Sequence, residues 1–175
     1  MHGNIGSKHD HTYETSSWRY WFDFCLFPAV FCLTVAVYDR SFGFNLGMLF
    51  GFVFGTFAEY WAHRTLLHVF FWHGTHERHH QHPKEYVVFP LWRLPAFFAT
   101  VFLVSHAIGA EGFFAGFTLW YCWFLLLHHM LHHLDLNEHT WLHRYAIWHN
   151  RHHKLTHYNY GITTPFWDRM FGTYL

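Results

Sequence analysis

The sequence predicts an all-α integral membrane protein with about four transmembrane helices and a histidine-rich helical cap on the cytosolic side. Three observations lead to this prediction. Hydrophobic residues make up 52% of the 175 residues, and charged residues make up 13%, about half the ~25% of an ordinary soluble domain. Several apolar stretches are long enough to cross a membrane. The chain also contains 21 histidines, which require an explanation of their own.

The apolar stretches cover residues 20–38, 41–62, 88–109 and 112–134. About 20 residues rising 1.5 Å each cross the ~30 Å hydrocarbon layer, where the backbone must satisfy its own hydrogen bonds and therefore favours helices. Short links at Asp39–Arg40 and Ala110–Glu111 join the first stretch to the second and the third to the fourth. The second and third are joined by a long polar link at 64–87. We therefore expect the two short turns on one side and the long link on the other.

The distribution of Lys and Arg predicts the orientation. Ten of these residues lie before the first stretch, in or beside the long link, or after the last stretch, whereas Arg40 alone lies on the opposite side. The positive-inside rule then places both termini and the long link in the cytoplasm of a multi-pass protein. The polar leader at 1–17 and the lack of a small-residue cleavage site argue against a signal peptide.

Charge and cysteine content exclude other classes. Eleven Lys and Arg balance eleven Asp and Glu, so no net field would attract nucleic acid. Cys25, Cys32 and Cys122 lie in apolar runs without paired or metal-ligand spacing, and we expect no disulfide framework.

Most of the histidines fall on the predicted cytosolic side, at membrane exits or beyond them. Chain order scatters them into separate groups, whereas the topology brings those groups to one face. Neutral imidazole is a ligand for Fe, Zn, Cu and Ni, and residue type does not choose among these metals. The topology therefore predicts a shared metal site on that face.

The spacing of the histidines supports the same prediction. The pattern His-x-x-His-His occurs at His76, His79 and His80, and on a helix these positions share a face. It recurs at 149–153, while His128 and His132 form an i, i+4 pair. A further match at 129–133 overlaps that pair and leaves its register open. Two more histidines, at 63 and 68, are five residues apart, so either they serve different ions or the helix is distorted there.

Taken in order, these groups resemble the histidine pattern of the fatty acid hydroxylase and sterol desaturase superfamily. The similarity extends over 59–175. It includes Glu59-Tyr-Trp-Ala-His-Arg at the first group and His80-Gln-His-Pro-Lys-Glu-Tyr-Val-Val-Phe-Pro after the second. The most specific part is the tail, Asn159-Tyr-Gly-Ile-Thr-Thr-Pro-Phe-Trp-Asp-Arg-Met-Phe-Gly-Thr.

The resemblance implies one membrane domain over 1–175, with a histidine-box region at 59–175 that holds two Fe ions. It implies that O₂ and two reducing equivalents oxidise an unactivated C–H bond of a lipid, by hydroxylation or by desaturation. Zinc readily occupies such imidazole sites, so zinc in a structure would not contradict iron. The ligands implied by matching position are His63, His68, His76, His79, His80, His128, His132, His149, His152 and His153.

The chain departs from familiar members in two respects. The gap between His68 and His76 is shorter than in the acyl 2-hydroxylases, which makes His73 an alternative ligand. No cytochrome b5-like domain or His-Pro-Gly-Gly motif is present. We therefore expect a separate electron donor, either a cytochrome b5-like protein or a ferredoxin with its reductase.

Several residues have two interpretations. Glu59, one turn before His63, either orients that imidazole or packs as a buried acid at the membrane exit. We expect the segment 167–169 to dock the tail against the cap. Supporting or surface roles are expected for the remaining cap histidines His129, His133, His139, His143 and His157.

The function favoured by these patterns is hydroxylation of a lipid C–H bond, with a fatty acyl chain as the first choice. A sterol-type desaturase of the same superfamily is the alternative. A membrane metal-binding or transport protein is a rival from another class, but it should carry ionisable residues at mid-membrane. A purely structural membrane protein predicts that His152→Ala leaves the metal content unchanged.

Overall fold

The computed structural model describes residues 14–38, 40–68, 73–88 and 92–175. The leader up to residue 13 and the turn residue Asp39 therefore lie outside the described residues. The helices are α1 (Ser17–Val37), α2 (Phe42–Trp61), α3 (His73–Gln81), α4 (Arg93–Ala107), α5 (Glu111–His133), α6 (Trp141–Lys154) and α7 (Phe166–Met170). A π-helical turn, Ala62–Leu67, continues α2, and the strands β1 (Glu14–Thr15) and β2 (Val87–Val88) pair antiparallel. The predicted all-α class is confirmed.

Within the described residues, three helical segments are long and apolar enough to cross a membrane: α1, α2 with its π-helical continuation, and α5. The fourth apolar helix, α4, has 15 residues, or about 22 Å at 1.5 Å per residue. The third apolar stretch was expected to begin at residue 88. Instead, Val88 pairs with Glu14, and the helix begins at Arg93. The sequence supplies a reason in Pro90, because the residue before a proline disfavours helix. Four spans remain a prediction.

The closest helix pair is α2 with α5, and glycines allow their backbones to touch. A Cβ atom built on Gly116 would lie 1.8 Å from the carbonyl oxygen of Met48, and one on Gly51 would lie 2.1 Å from that of Phe113. Small residues four apart are typical of tightly packed membrane helices. The two helices run parallel, so their C-terminal ends reach the same end of the bundle.

Helices α1 and α4 run in the opposite direction against α5. At the far end of the bundle, the Tyr38 hydroxyl and Nδ1 of His106 lie 3.4 Å apart. The ends of α1 and α4 are therefore neighbours, which confirms that the two short turns lie on one side. Phe27, Phe98 and Phe117 fill the core between the helices. Many outward-facing side chains are apolar and exposed, including Leu33, Leu49 and Leu103, as expected of surfaces that face lipid.

Candidate dimetal centre

Five histidines from three segments form the first group. The π-helical turn and the residue after it supply His63 and His68, α3 supplies His76 and His80, and α6 supplies His152. The Nε2 atom of His76 lies 2.8 Å from that of His63, 3.0 Å from that of His68 and 2.9 Å from that of His80. The Nε2 atoms of His68 and His152 are 3.1 Å apart. All five ligand atoms lie within 4.8 Å of one another.

The π-helical turn accounts for the five-residue spacing of His63 and His68. Hydrogen bonds in a π-helix run from i to i+5, so residues five apart lie one turn apart. The two rings are stacked, with centroids 5.1 Å apart and an interplanar angle of 25°. Of the two alternatives left by the sequence, the helix distortion is the one observed, and both residues belong to the same group.

A second group of five histidines lies beside the first. Helix α3 supplies His79, α5 supplies His128 and His132, and α6 supplies His149 and His153. The Nε2 atom of His132 lies 2.9 Å from that of His149 and 3.2 Å from that of His128. The Nε2 atoms of His79 and His128 lie 3.1 Å apart, and those of His149 and His153 lie 3.2 Å apart. The register of the third histidine motif is therefore 128 and 132.

Each His-x-x-His-His motif divides between the two groups. In α3, His76 and His80 face the first group and His79 the second. In α6, His152 faces the first group and His149 the second. Successive residues are about 100° apart around a helix, so positions i and i+4 nearly align, whereas i+3 turns about 60° the other way. One motif therefore spans two neighbouring sites, and the structure brings together all ten histidines that the sequence singled out.

Two of the imidazoles are oriented by main-chain carbonyls of the C-terminal tail. Nδ1 of His63 donates to the carbonyl oxygen of Tyr160, and Nδ1 of His152 donates to that of Tyr158 at 2.7 Å. Because a carbonyl only accepts, each Nδ1 carries the proton, and a neutral ring then has a bare lone pair at Nε2. Fixing one ring nitrogen in this way orients the other for a metal.

The donor set fits a metal ion in each group. Imidazoles that carry their proton on Nδ1 present bare Nε2 lone pairs, and at the 2.8–3.2 Å separations within these groups such lone pairs repel unless a proton or a cation lies between them. Nitrogen ligands about 2.1 Å from a metal and at right angles to each other would lie about 3.0 Å apart, which matches these separations. The residues present therefore suit a metal bound by several neutral imidazoles.

Burial favours the neutral form of histidines in the two groups. Loss of hydration, followed by the neighbouring imidazoles, holds the pKa of His76, His79 and His149 well below its usual range. Burial likewise lowers the pKa of His152 to about 3 and that of His153 to about 2. Neutral imidazole is the metal-binding form, so no proton need be displaced at neutral pH.

Buried carboxylates hold the tail that carries these carbonyls. Glu59 accepts hydrogen bonds from the backbone N–H groups of Ile162 and Thr163, from the Thr163 hydroxyl at 2.6 Å and from Nε1 of Trp120 at 3.1 Å. Three of these four contacts of the Glu59 carboxylate lead to the tail and the fourth to α5, whereas Tyr160 is the partner of Nδ1 of His63. Glu59 acts on His63 through the tail rather than by direct contact.

Asp168, fully buried, performs the same task from α7. Its carboxylate accepts from the backbone N–H groups of Tyr160 and Gly161, each at 2.8 Å, and from the Thr173 hydroxyl at 2.7 Å. Nε1 of Trp167 donates to the hydroxyl of Thr56 at 2.9 Å. The segment 167–169 therefore holds the tail in place.

The other histidines whose side chains the structure describes belong to neither group. Nδ1 of His129 lies 3.1 Å from the Tyr20 hydroxyl, and His133 stacks on Tyr86. His157 is exposed. His73 begins α3, but its side chain lies outside the described residues. The carbonyls of Tyr158 and Tyr160 were missed by sequence reasoning, because a main-chain carbonyl leaves no residue signature. The distinctive amino-acid sequence of the tail was the only signal that pointed to this segment.

A cavity of about 830 Å³ opens beside the histidines. At one end its wall includes histidines of both groups, and farther along it is formed by apolar side chains of α4 and α5, such as Phe97, Phe98 and Phe117. Ligand pockets of this size commonly hold small organic molecules, and an apolar lining selects apolar ones. The cavity can therefore bring a hydrocarbon chain to the two histidine groups.

Comparison with known proteins agrees with this geometry. A family model described as fatty acid hydroxylase matches residues 48–173. The dihydroceramide fatty acyl 2-hydroxylase FAH2 of Arabidopsis thaliana is 30% identical over 149 residues, which cover 74% of this chain and 60% of that protein. The ceramide very long chain fatty acid hydroxylase scs7 of Schizosaccharomyces pombe is 32% identical over 139 residues, which cover 67% of this chain and 39% of that protein.

A solved structure titled "Full length scs7p (only hydroxylase domain visible)" has a TM-score of 0.72 and 26% identity over 89% of this chain and 66% of that chain. The chain thus spans 60% or less of the length of these two curated relatives. The family model nevertheless covers most of the chain, including all ten histidines. This protein belongs to the fatty acid hydroxylase family.

Proposed function

We propose that this protein hydroxylates a C–H bond near the polar end of the acyl chain of a membrane lipid, and that the ten histidines hold two iron ions. The observation that carries the proposal is the pair of five-histidine groups opening onto one apolar cavity. The names of the two curated relatives add the substrate class, an acyl chain joined to a sphingoid base through an amide.

The two metal ions, when bound, would supply the oxidising chemistry, with O₂ as co-substrate and electrons from a separate donor protein. The protein's own residues do the rest. The carbonyls of Tyr158 and Tyr160 keep the rings of His152 and His63 turned toward the first site. Phe98 and Phe117 line the cavity and exclude water from the hydrocarbon.

The proposed membrane topology follows from the distribution of Lys and Arg along the sequence. In the sequence, ten Lys and Arg residues flank the predicted cytosolic side and Arg40 alone the other, and by the positive-inside rule this bias supports a cytoplasmic cap and cytoplasmic termini. A soluble electron donor would then reach the cap without crossing the membrane. The whole chain is proposed to act as one membrane domain.

Metal analysis of detergent-purified protein, with lipid extracts of the expressing cells analysed by mass spectrometry, tests the proposal. His152→Ala and His153→Ala remove one ligand from the first and the second group respectively. His157→Ala is the matched control, because His157 is exposed and belongs to neither group. We expect two metal ions per chain in the wild type and in the control, and about half that content in each ligand variant.

The lipid readout identifies the reaction. A lipid that gains one oxygen atom in cells with wild-type or His157→Ala protein, and not with either ligand variant, supports hydroxylation. A lipid that loses two hydrogen atoms would instead indicate a desaturase. Wild-type protein without metal after gentle, iron-supplemented preparation would contradict the proposal. Zinc at full occupancy would not, because these ligands also bind zinc.

A further inference from the structure

One carboxylate on the cavity wall has no assigned partner. In the part of the chain that the structure describes, the charged residues that line the cavity are Asp23, Glu59, Glu85 and Arg93. Glu59 is hydrogen-bonded to the tail, Glu85 pairs with Arg78 at 2.6 Å, and the Arg93 guanidinium lies 5.8 Å from the Trp92 ring. Among the described residues, Asp23 has no hydrogen bond or ion pair.

The position of Asp23 makes this carboxylate unusual. It is the only acidic residue in α1, an apolar helix of 21 residues, and it is partly buried. An ionised group in a membrane-spanning helix is costly unless it meets a partner, and such residues commonly mark a functional site. A partner that donates a hydrogen bond from within the cavity would remove that cost.

Neighbouring contacts give the depth of Asp23 along the bundle. One turn before it, the Tyr20 hydroxyl lies 3.1 Å from Nδ1 of His129 on α5. One turn after it, the Phe27 ring lies 4.6 Å from that of Tyr121 on α5. Because α1 and α5 are antiparallel, Asp23 is level with the stretch of α5 between these contacts, which includes His128. The carboxylate therefore lies at the histidine end of the cavity.

We propose that Asp23 accepts a hydrogen bond from the amide N–H or adjacent O–H group of the lipid and thereby selects amide-linked acyl lipids over free fatty acids and esters. An ester linkage offers no donor, and a free fatty acid would bring a second negative charge to the carboxylate. The inference rests on the proposed function, because it assumes that the cavity holds an acyl lipid.

This contact also orients the chain. With the polar group held at Asp23, the acyl carbons next to the carbonyl lie closest to the histidines, and the rest of the tail extends past Phe98 and Phe117. The residue thus acts as a specificity determinant and positions the substrate without touching the reacting atoms. The carbon that is oxidised is then near the amide rather than near the methyl end.

Binding of three lipids with the same acyl chain tests the proposal: an N-acyl amino alcohol, an alkyl ester of the same fatty acid without an amine or hydroxyl group, and the free fatty acid. Each competes with a fluorescent acyl amide for purified protein in detergent, and fluorescence polarisation measures displacement. The proteins are wild type, Asp23→Asn, Asp23→Leu and, as control, Cys25→Ala, an exposed position on α1 that does not line the cavity. Metal content and elution volume report folding.

A hydrogen bond to a charged group makes the wild type and the control prefer the amide to the ester by about tenfold or more. Asp23→Leu should bring that ratio to within about twofold. Asp23→Asn keeps an acceptor oxygen but no charge, so it should retain part of the amide preference and bind the free fatty acid more tightly.

Two results would overturn the inference: a wild type that binds all three lipids equally, or a folded Asp23→Leu variant that keeps the wild-type ratio. If the wild type binds the free fatty acid tightly, Arg93 rather than Asp23 is the residue that holds the polar end of the lipid, and the inference fails. Failure of the proposed function would give a result that differs from failure of this inference. In that case the wild type lacks metal and forms no oxidised lipid, while the Asp23-dependent preference for the amide persists.

Discussion

Asp168→Asn is the most informative single change outside the metal ligands. The fully buried carboxylate holds Tyr160 and Gly161, and the carbonyl of Tyr160 orients His63. The substitution keeps the shape of the side chain but replaces one acceptor oxygen with an NH₂ donor. With the remaining oxygen placed to serve Tyr160 and Thr173, the NH₂ group faces the N–H of Gly161, and the two donors oppose each other.

The expected loss follows from these contacts. A hydrogen bond to a charged group contributes about 1.5–3 kcal/mol, and a buried N–H left unpaired costs about 1–3 kcal/mol. Removing a buried charge offsets part of this, since burial raises the pKa of Asp168. We expect a net loss of about 3 kcal/mol in the free energy that holds the tail closed, which corresponds to a roughly hundredfold increase in its opening.

Hydrogen–deuterium exchange of the tail amides, residues 158–175, measures this opening directly. The control is Asp135→Asn, the same chemical change at an exposed residue, for which exchange should stay within about twofold of wild type. Asp168→Asn should also lower metal content, mainly in the first group, because His63 and His152 lose their fixed carbonyl partners. Unchanged tail exchange together with full metal content would refute the proposed link between the carboxylate, the tail and the ligands.

Three further predictions test other parts of the structure. Gly116→Ala places a Cβ against the backbone of α2 and should destabilise the bundle by about 3 kcal/mol or more, whereas Gly43→Ala, whose Cβ would meet only a side-chain atom at 3.8 Å, should have little effect on thermal unfolding in detergent. Glu59→Gln should speed hydrogen–deuterium exchange of the amides at 160–163 and lower the metal content, while the protein is still expressed. Exchange at the wild-type rate would contradict this prediction. Burial lowers the pKa of His152 and His153 in the folded state, so the unfolded chain binds more protons below pH 6.5. The unfolding free energy of metal-free protein should therefore decrease as the pH falls through that range, by up to about 1.4 kcal/mol per pH unit for each of these histidines, down toward pH 3 for His152. A thermal midpoint that is the same at neutral pH and at about pH 5 would contradict this assignment.

The bounds of the helices show where sequence reasoning succeeds. Apolar runs of about 20 residues have one stable form in lipid, so α1, α2 and α5 begin and end within three residues of the expected positions. Sequence reasoning failed at the start of the third apolar stretch, where Val88 belongs to a short strand and the helix begins at Arg93. Hydropathy alone does not distinguish a short strand from the first turn of a membrane helix.

Local pattern was enough to predict the all-α class and the convergence of the histidines at one end, because helical spacing and membrane topology follow from it. The ten that come together are those implied by the resemblance to the hydroxylase and desaturase superfamily. How those ten divide between two groups depends on the folded chain. The π-helical turn joins His63 to His68, each His-x-x-His-His motif serves both groups, and the carbonyl of Tyr160, nearly a hundred residues from His63, orients that ring. These features depend on main-chain geometry and on contacts between distant segments, which residue types and spacing do not encode.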